Sequence, residues 1–152
     1  MKLSDYRVYP MTLIEDRKEG GWTICVDDFP GCTTEADREE EIDDWALAAF
    51  CDLAEASLRT RRAVPAATQA KSGQRALPIP PTISLKIMLR NAMIAKGVSY
   101  ADLARKLGVS PQSVAQTLTL KRRATNFDSL IEIFEALDIK VEVLVEKMRT
   151  AK

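Results

Sequence analysis

The sequence of 152 residues contains no histidine, and this absence narrows the chemistry that the chain can perform. Histidine is the commonest general base, the usual activator of a nucleophilic serine or cysteine, and the commonest transition-metal ligand. Carboxylates alone can hold the two magnesium ions of a nuclease, but several of them must converge. Asp27 and Asp28 are adjacent, so only one of them can point to a given face of a strand. We therefore predict no enzymatic activity, no cofactor and no metal site.

Paired cysteines and long apolar runs are also missing. Cys25, Cys32 and Cys51 form no CxxC pair, and their odd number argues against a disulfide framework and a structural zinc site. We expect buried, unreactive thiols. No apolar run approaches the roughly 20 residues that span a bilayer, and the N-terminus, MKLSDYRVYP, lacks the apolar core of a signal peptide. These features predict a cytoplasmic protein without membrane association.

The net charge of zero conceals a strong asymmetry between the two halves of the chain. Residues 1–62 contain 8 basic and 15 acidic side chains, which gives a net charge of −7. Residues 63–152 contain 14 basic and 7 acidic side chains, which gives a net charge of +7. Such a contrast suggests two modules whose partners carry opposite charge.

The acidic half has the pattern of a small sheet with one helix. Apolar side chains alternate with others in residues 9–13 and 22–27, on either side of the turn sequence KEGG, which predicts a β-hairpin. Asp37 and Glu40 are spaced to cap a following helix reciprocally. The apolar stripe of that helix is predicted to comprise Ile42, Trp45, Ala46, Ala49, Leu53 and Ser57.

Residues 63–81 hold four prolines and little periodicity, which predicts a linker, with the segment RALPI able to return to the first sheet. The rest of the chain has mainly helical periodicity. We therefore assign residues 1–81 to one domain and residues 82–152 to a second. The predicted fold class is α+β: a small N-terminal β-sheet with one packed helix, then an all-α helix-turn-helix domain that ends in a β-strand.

The helix-turn-helix is predicted from the segment YADLARKLGVSPQSVAQTLTLKRR. Ser99 can cap its first helix and Gly108 can end it, while Ser110 and Pro111 can begin the second helix. Small Ala104 suits the point where the two helices cross. Apolar side chains are predicted to lock the turn and to form the buried side of the second helix: Val109, Val114, Ala115 and Leu118.

The opposite side of the second helix is rich in amides. A glutamine amide can form two hydrogen bonds with adenine, and serine can contact a base or a phosphate. We predict that this side enters the major groove and reads bases through Gln112, Ser113 and Gln116. Phosphate contacts are predicted for Ser99 and for the basic run after the helix, which comprises Lys121, Arg122 and Arg123.

The tail IKVEVLVEK alternates β-branched with other side chains, which predicts a strand after the helices. A lone strand has no partner within a helical domain, so we expect it to pair with the same strand of a second chain. The dimerisation residues are then Val141, Val143 and Val145, and pairing of the acidic domains as well would give a tetramer. The alternative is a frayed continuation of the preceding helix.

These motifs together resemble a known family. Residues 84–138, with the frame ADLA…LGVS.QSV.Q, are similar to Xre/Cro-type repressor domains, and the motif YP…EGGW…DFPGC.T is similar to that of HicB-family antitoxins. The resemblance implies a degraded RNase H-like N-terminal domain, a HicA toxin that is a small basic ribonuclease, and repression of the shared operon through operator DNA. The chain departs from the family pattern directly after this motif, where it has TTEADREEEI.

Given this resemblance, the acidic half is predicted to bind the toxin, because complementary charge raises association rates and selects partners. The predicted toxin-binding residues are Trp22, Asp27, Asp28, Phe29 and Glu35, although both aromatic side chains also suit a core. Two other functions stay open. One is a ligand-responsive repressor whose N-terminal domain senses a small molecule, and the other is a structural interaction module that binds no DNA.

Overall fold

A computed structural model of the chain describes residues 1–141. Its first half is a four-stranded antiparallel sheet with one helix packed against a face, and its second half is a group of four helices. The predicted α+β class is therefore confirmed.

The sheet has the strand order β3-β2-β1-β4 and consists of β1 (Val8–Glu15), β2 (Trp22–Val26), β3 (Thr33–Ala36) and β4 (Arg75–Pro78). The predicted hairpin is confirmed as β1 and β2, with Leu13 opposite Ile24. The predicted return of RALPI is also confirmed, because β4 pairs antiparallel with β1. The sequence pattern did not predict β3, which is short and carries mostly polar side chains.

The helix of the first half is α1 (Ile42–Arg59), which follows a 3₁₀ turn at Glu39–Glu41. The predicted reciprocal cap by Asp37 and Glu40 is wrong: the 3₁₀ turn moves the N-cap to Glu41, and no side chain caps the helix there. The buried stripe of α1 faces the sheet and comprises Ile42, Ala46, Phe50, Ala54 and Leu58.

Trp45 was expected in that stripe, and this expectation is wrong, because the side chain is 52% exposed. Phe50 fills the core instead, with its ring centroid 4.6 Å from that of Tyr9 and 5.5 Å from that of Phe29. Positions 45 and 50 lie about 140° apart around a helix, so only one of the two aromatic side chains can face the sheet.

The second half comprises α2 (Pro81–Lys96), α3 (Tyr100–Leu107), α4 (Pro111–Leu118) and α5 (Phe127–Ala136). Gly97 ends α2 in the left-handed region, at φ 67°. α5 and its C-cap bury four apolar side chains: Leu130, Ile133, Phe134 and Leu137. No helix within residues 1–141 combines the length and the apolar character that a membrane crossing requires.

α2 contributes to two hydrophobic cores. Ile83 and Ile87 pack in the core of the sheet and α1, whereas Leu89 and Met93 pack with α3, α4 and α5. One continuous helix therefore joins the two predicted domains, and the boundary between residues 81 and 82 stays a prediction.

The predicted linker is held against the rest of the fold. The Tyr9 hydroxyl donates to the carbonyl oxygen of Pro65 at 2.7 Å. The Asn91 amide bonds both backbone groups of Val64, each at 2.9 Å. At the other end of the chain, residues 139–141 are not part of a strand, and Val143 and Val145 lie outside the described residues.

Candidate nucleic-acid interface and acidic surface

α4 presents a polar side to solvent and an apolar side to its neighbouring helices. Gln112, Ser113 and Gln116 are exposed, whereas Val114 and Leu118 are buried. The three predicted base-reading residues therefore lie together on the uncovered side of one helix. Amide and hydroxyl groups placed in this way can donate to and accept from the edges of base pairs.

Local interactions fix the start of α4. The Ser110 hydroxyl oxygen accepts a hydrogen bond from the Ser113 N–H at 3.1 Å, and Pro111 occupies the first helical position. Both features were predicted from the sequence. They hold the first turn, which carries Gln112 and Ser113, in helical geometry.

The turn between α3 and α4 depends on one glycine. Gly108 has a φ of 69° and ends α3 in a conformation that glycine adopts without a steric penalty. Ala104 and Val114 are each 2% exposed and pack in the core below the turn. The prediction that Val109 helps to lock the turn is wrong. Val109 belongs to the turn that connects α3 to α4, and it is 46% exposed rather than packed in the core.

Ser99 caps the N-terminus of α3. Its hydroxyl oxygen accepts a hydrogen bond from the Asp102 N–H at 3.1 Å, and the Asp102 carboxylate accepts one from the Ser99 N–H at 2.9 Å. The hydrogen bond from the Ser99 N–H, and after it the interaction of the Ser99 hydroxyl with the carboxylate, lower the pKa of Asp102. Because this hydroxyl already interacts with the Asp102 carboxylate, the structure accounts for Ser99 as a helix cap, and its phosphate contact stays a prediction.

The segment after α4 is held by two cations of α2. Lys86 is fully buried, and its ammonium donates to the carbonyl oxygens of Thr119 at 3.0 Å and Arg122 at 2.7 Å. Arg90 donates to the carbonyl oxygen of Leu118 at 3.4 Å. Positive charge is favourable at this helix end, because the last carbonyls of a helix lack intrahelical partners. α2 thus fixes the backbone that carries the basic run.

Glu55 of α1 reaches the same segment from the acidic half. Its Oε2 accepts hydrogen bonds from Arg90 Nη1 at 2.7 Å and from the Leu120 N–H at 3.0 Å. Burial raises the pKa of Glu55, but these hydrogen bonds and the charge of Arg90 outweigh it and leave the pKa below its ordinary value. The side chains of Glu55 and Arg90 are 14% and 4% exposed. A buried ion pair therefore connects the two halves, and no sequence motif had indicated it.

Lys121, Arg122 and Arg123 are all exposed, but their surroundings differ. Arg123 lines a cleft of about 310 Å³ with Asp43 and Asp44, near the N-terminus of α1. It is therefore placed beside carboxylates of the acidic half. This position favours Lys121 and Arg122 over Arg123 as phosphate ligands.

Asp27 and Asp28 hold the segment before β4 against the end of the hairpin. Asp27 accepts hydrogen bonds from Thr12 at 2.8 Å and Gln74 at 2.9 Å. Asp28 accepts from the N–H of Thr68 at 2.5 Å and from its hydroxyl at 2.9 Å. Both predicted toxin ligands thus have a role in the fold that the sequence did not reveal.

The other predicted toxin-binding residues differ in exposure. Phe29 is 6% exposed and belongs to the core, which is the other role that the sequence allowed. Trp22 is half-buried at the start of β2 and packs against the same core. Glu35 is exposed on β3. Of these three, only Glu35 is freely available to a partner.

Residues 35–44 form a continuous acidic segment with seven carboxylates and a single basic residue. Their position before and within the first turn of α1 suits the macrodipole of that helix. Three of the carboxylates have a cationic neighbour: Glu40 and Glu41 pair with Arg38, and Asp43 pairs with Arg75. The other four are not in ion pairs within residues 1–141: Glu35, Asp37, Glu39 and Asp44.

Trp45 follows this acidic segment directly and is an interface candidate that sequence reasoning missed. It lies on the side of α1 away from the sheet, next to exposed Asp44. Exposed tryptophan is enriched in protein interfaces, because its large ring removes much apolar area from water on binding. The signal that could have found it is the helical spacing, since Phe50 and Trp45 cannot share one face.

The three cysteines are free thiols. Burial raises the pKa of both Cys32 and Cys51 to about 11. Since the thiolate is the reactive form, a raised pKa lowers the reactive fraction of these two thiols at neutral pH. The prediction of buried thiols is confirmed for Cys32 and wrong for Cys25 and Cys51, which are half-buried. Within the described part of the chain, no three Cys, Asp or Glu side chains are grouped as a metal site would require.

Two protein families match successive parts of the chain. Residues 8–88 match the family described as HicB_like antitoxin of bacterial toxin-antitoxin system. Residues 88–146 match the Cro/C1-type HTH DNA-binding domain. The two matches meet inside α2, the helix that contributes to both cores.

Individual relatives extend over most of the chain. Antitoxin HicB 2 of Photorhabdus laumondii subsp. laumondii is 29% identical over 136 residues, which cover 90% of this chain and 94% of that protein. Antitoxin HicB 1 of the same organism is 27% identical, over 91% of this chain and 86% of that protein. Antitoxin HicB of Escherichia coli strain K12 is 23% identical, over 90% of this chain and 98% of that protein.

Proposed function

Because this chain belongs to the family of HicB-like antitoxins, we propose that it neutralises a HicA-like, mRNA-cleaving toxin and represses its own operon as a dimer. The second part of the chain is a Cro/C1-type DNA-binding domain. One observation carries the proposal: two exposed surfaces of different chemistry, one acidic and one rich in uncharged amides, lie on the same chain. They are the acidic segment at residues 35–44 and the polar side of α4.

The acidic segment is proposed to cover the RNA-binding surface of the toxin. A small basic ribonuclease holds RNA through cationic side chains, and carboxylates that occupy those side chains exclude RNA. Four carboxylates of the segment are outside ion pairs among the described residues, and Trp45 beside them supplies an apolar anchor. We place Glu35 and Trp22 at this interface, with Asp27 and Asp28 at its edge and Phe29 behind it in the core.

The DNA-binding surface is proposed to centre on the polar side of α4. Gln112, Ser113 and Gln116 read base edges, because they are exposed together on the N-terminal part of the recognition helix. Phosphate contacts come from Ser99, Lys121 and Arg122. Arg123 joins them only if it leaves its cleft beside Asp43 and Asp44.

Dimerisation is proposed to occur through the C-terminal tail. Two copies would place their recognition helices on half-sites about one turn of DNA apart. Val141 is 37% exposed at the end of the described residues, and the proposed interface continues through Val143 and Val145. We expect Val143→Asp with Val145→Asp to give monomers in light scattering and to weaken operator binding. A dimer that survives both substitutions would contradict the tail as the interface.

Toxin neutralisation is tested by co-expressing the chain with the tagged product of the neighbouring reading frame, followed by an RNA-cleavage assay. We expect stable capture of the chain and loss of cleavage. Glu35→Lys with Glu39→Lys should reduce both, because it reverses two exposed charges of the acidic segment. The matched control is Glu132→Lys with Glu135→Lys, two exposed carboxylates of α5.

Each outcome separates the functions that the sequence left open. Capture that is equally weakened in both variants would contradict the acidic segment as the contact surface. Absence of capture, with DNA binding intact, would favour the ligand-responsive repressor. Absence of both activities would favour a structural interaction module.

A further inference from the structure

The acidic half carries a basic cluster at its end. Arg59, Arg61 and Arg62 fall within four residues at the C-terminus of α1. All three are exposed, and none forms an ion pair or a side-chain hydrogen bond within residues 1–141. Their backbone is well anchored, since the Arg61 and Arg62 N–H groups donate to carbonyl oxygens of Leu58 at 3.1 Å and Ser57 at 2.8 Å.

Helix electrostatics explain only part of this cluster. Cations are favoured in the last turn of a helix, which accounts for Arg59. Arg61 and Arg62 follow the end of the helix, where the N–H and hydroxyl groups of Thr60 already bond to the carbonyl oxygens of Ala56 and Ser57. Arg61, at a φ of 58°, and Arg62 close the helix through their backbone N–H groups. Their guanidinium side chains take no part in this cap.

Two members of the cluster, Arg59 and Arg61, lie beside the first turn of α3, and Arg62 follows Arg61 directly in the sequence. Arg59 and Arg61 line a cleft of about 270 Å³ together with Ser99 and Tyr100. After the hydrogen bonds from Ser99, the charges of Arg105 and Arg61 also lower the pKa of Asp102 in that turn. The fold thus brings cations of the acidic half to the N-terminus of a helix of the DNA-binding half.

In a helix-turn-helix, the N-terminus of the first helix lies close to the DNA backbone. The first helix of the motif, here α3, crosses the DNA backbone while the second lies in the major groove. Helix N-termini and arginine side chains are common phosphate ligands. Cations beside Ser99 are therefore on the side of the domain that meets the phosphates.

We propose that Arg59, Arg61 and Arg62 bind phosphates of the operator and extend the DNA interface from α3 onto the end of α1. This inference rests on the proposed DNA-binding function. It assigns part of the DNA affinity to the toxin-binding half, outside the residues that match the DNA-binding family. The three arginines bind the DNA backbone, so they add affinity without adding sequence preference.

The test measures DNA binding of the full chain by fluorescence anisotropy between 50 and 200 mM salt. The probes are a duplex from the region upstream of its own reading frame and an unrelated duplex of equal length. The variant is R59Q/R61Q/R62Q. For every phosphate that the variant no longer binds, the salt slope falls by about 0.9 and the affinity at physiological salt by roughly fivefold. We expect a decrease of similar size on both duplexes.

The charge-matched control is R17Q/K18Q/K71Q, which removes three exposed cations of the hairpin turn and of the segment before β4. Toxin capture and the thermal unfolding midpoint show whether each variant keeps its fold. If the triple variant unfolds, R61Q/R62Q replaces it, since both positions lie beyond the helix. The expected decrease in the salt slope is then at most about 1.8.

The possible failures are distinguishable. If the unsubstituted chain binds neither duplex, the proposed DNA-binding function fails and this inference fails with it. If the unsubstituted chain binds and the cluster variant keeps the affinity and salt slope of the control, only this inference is overturned. A decrease confined to the upstream duplex would also overturn it, because the removal of phosphate ligands weakens binding to all sequences.

Discussion

The sheet core of the first half is almost entirely apolar, whereas α2, which lies between the halves, buries Ser84, Lys86, Arg90 and Asn91. These polar groups are satisfied by partners distant in sequence. The Ser84 hydroxyl donates to the carbonyl oxygen of Tyr6 at 2.7 Å, and Arg90 pairs with Glu55. Apolar burial is not directional, but hydrogen bonds are. The cores therefore stabilise each half, and the polar contacts of α2 fix how the halves meet.

The buried polar contacts of α2, including the ion pair of Arg90 with Glu55, form a polar seam between the halves. The largest expected effect on stability comes from breaking this ion pair. Arg90→Met leaves the Glu55 carboxylate, whose side chain is 14% exposed, with the Leu120 N–H but without its cationic partner, and we expect a decrease of at most about 3–5 kcal/mol in the free energy of unfolding. Urea denaturation measures it. Arg105→Met is the matched control, because its ion pair with Asp102 is exposed and such pairs contribute little to stability.

The double variant Glu55→Met with Arg90→Met sharpens the same comparison. Apolar side chains of similar volume can replace a buried ion pair at little cost. We therefore expect it to recover much of the stability that Arg90→Met alone removes. If Arg90→Met and Arg105→Met destabilise the protein equally, burial does not make the ion pair of Glu55 and Arg90 more important than an exposed one.

The next effect concerns the exposed side of α4 and leaves both cores untouched. We expect Gln112→Ala with Gln116→Ala to remove about 1–3 kcal/mol of discrimination for each base that is no longer read, while salt-sensitive, non-specific binding persists. The ratio of affinities for the upstream and unrelated duplexes measures it. Gln69→Ala, an exposed glutamine before β4, should leave this ratio unchanged. Equal weakening on all DNA would show that these amides do not read bases.

A smaller effect is expected at the cap of α4. Ser110→Ala removes the acceptor of the Ser113 N–H, and helix caps of this kind contribute about 1 kcal/mol. Thermal or urea unfolding compares it with Ser72→Ala, an exposed serine outside any helix. A variant as stable as Ser72→Ala would show that Pro111 and the packing of α4 suffice to start the helix.

The smallest effect is the pH dependence of the seam. The pKa of Glu55 is lowered in the folded state, so its contribution to stability is complete above the ordinary carboxyl range. It disappears as the pH falls through the lowered pKa. We expect the stability gap between the unsubstituted chain and Glu55→Gln to narrow as the pH falls from about 6 to about 3. The other carboxylates are present in both proteins, so their titration does not change the difference in stability. A difference that stays constant over this pH range would contradict an ionised Glu55 in the folded state.

Apart from the return of RALPI to β1, prediction from sequence succeeded where each structural feature depends on near neighbours. The hairpin, the caps at Ser99 and Ser110, the left-handed stop at Gly108 and the exposed side of α4 were all predicted. It failed where two local patterns competed. At the start of α1, the spacing of Asp37 and Glu40 indicated a cap, but a 3₁₀ turn moved the first helical residue to Ile42.

The sequence by itself determined the α+β class, the helix-turn-helix and the charge contrast between the halves, because periodicity, caps and composition act over a few residues. Only the tertiary structure decided that Phe50 is buried and Trp45 exposed, that Asp27 and Asp28 hold a distant segment, and that Glu55 meets Arg90. These contacts join positions up to 47 residues apart. Their formation depends on the path of the whole chain, which no local pattern specifies.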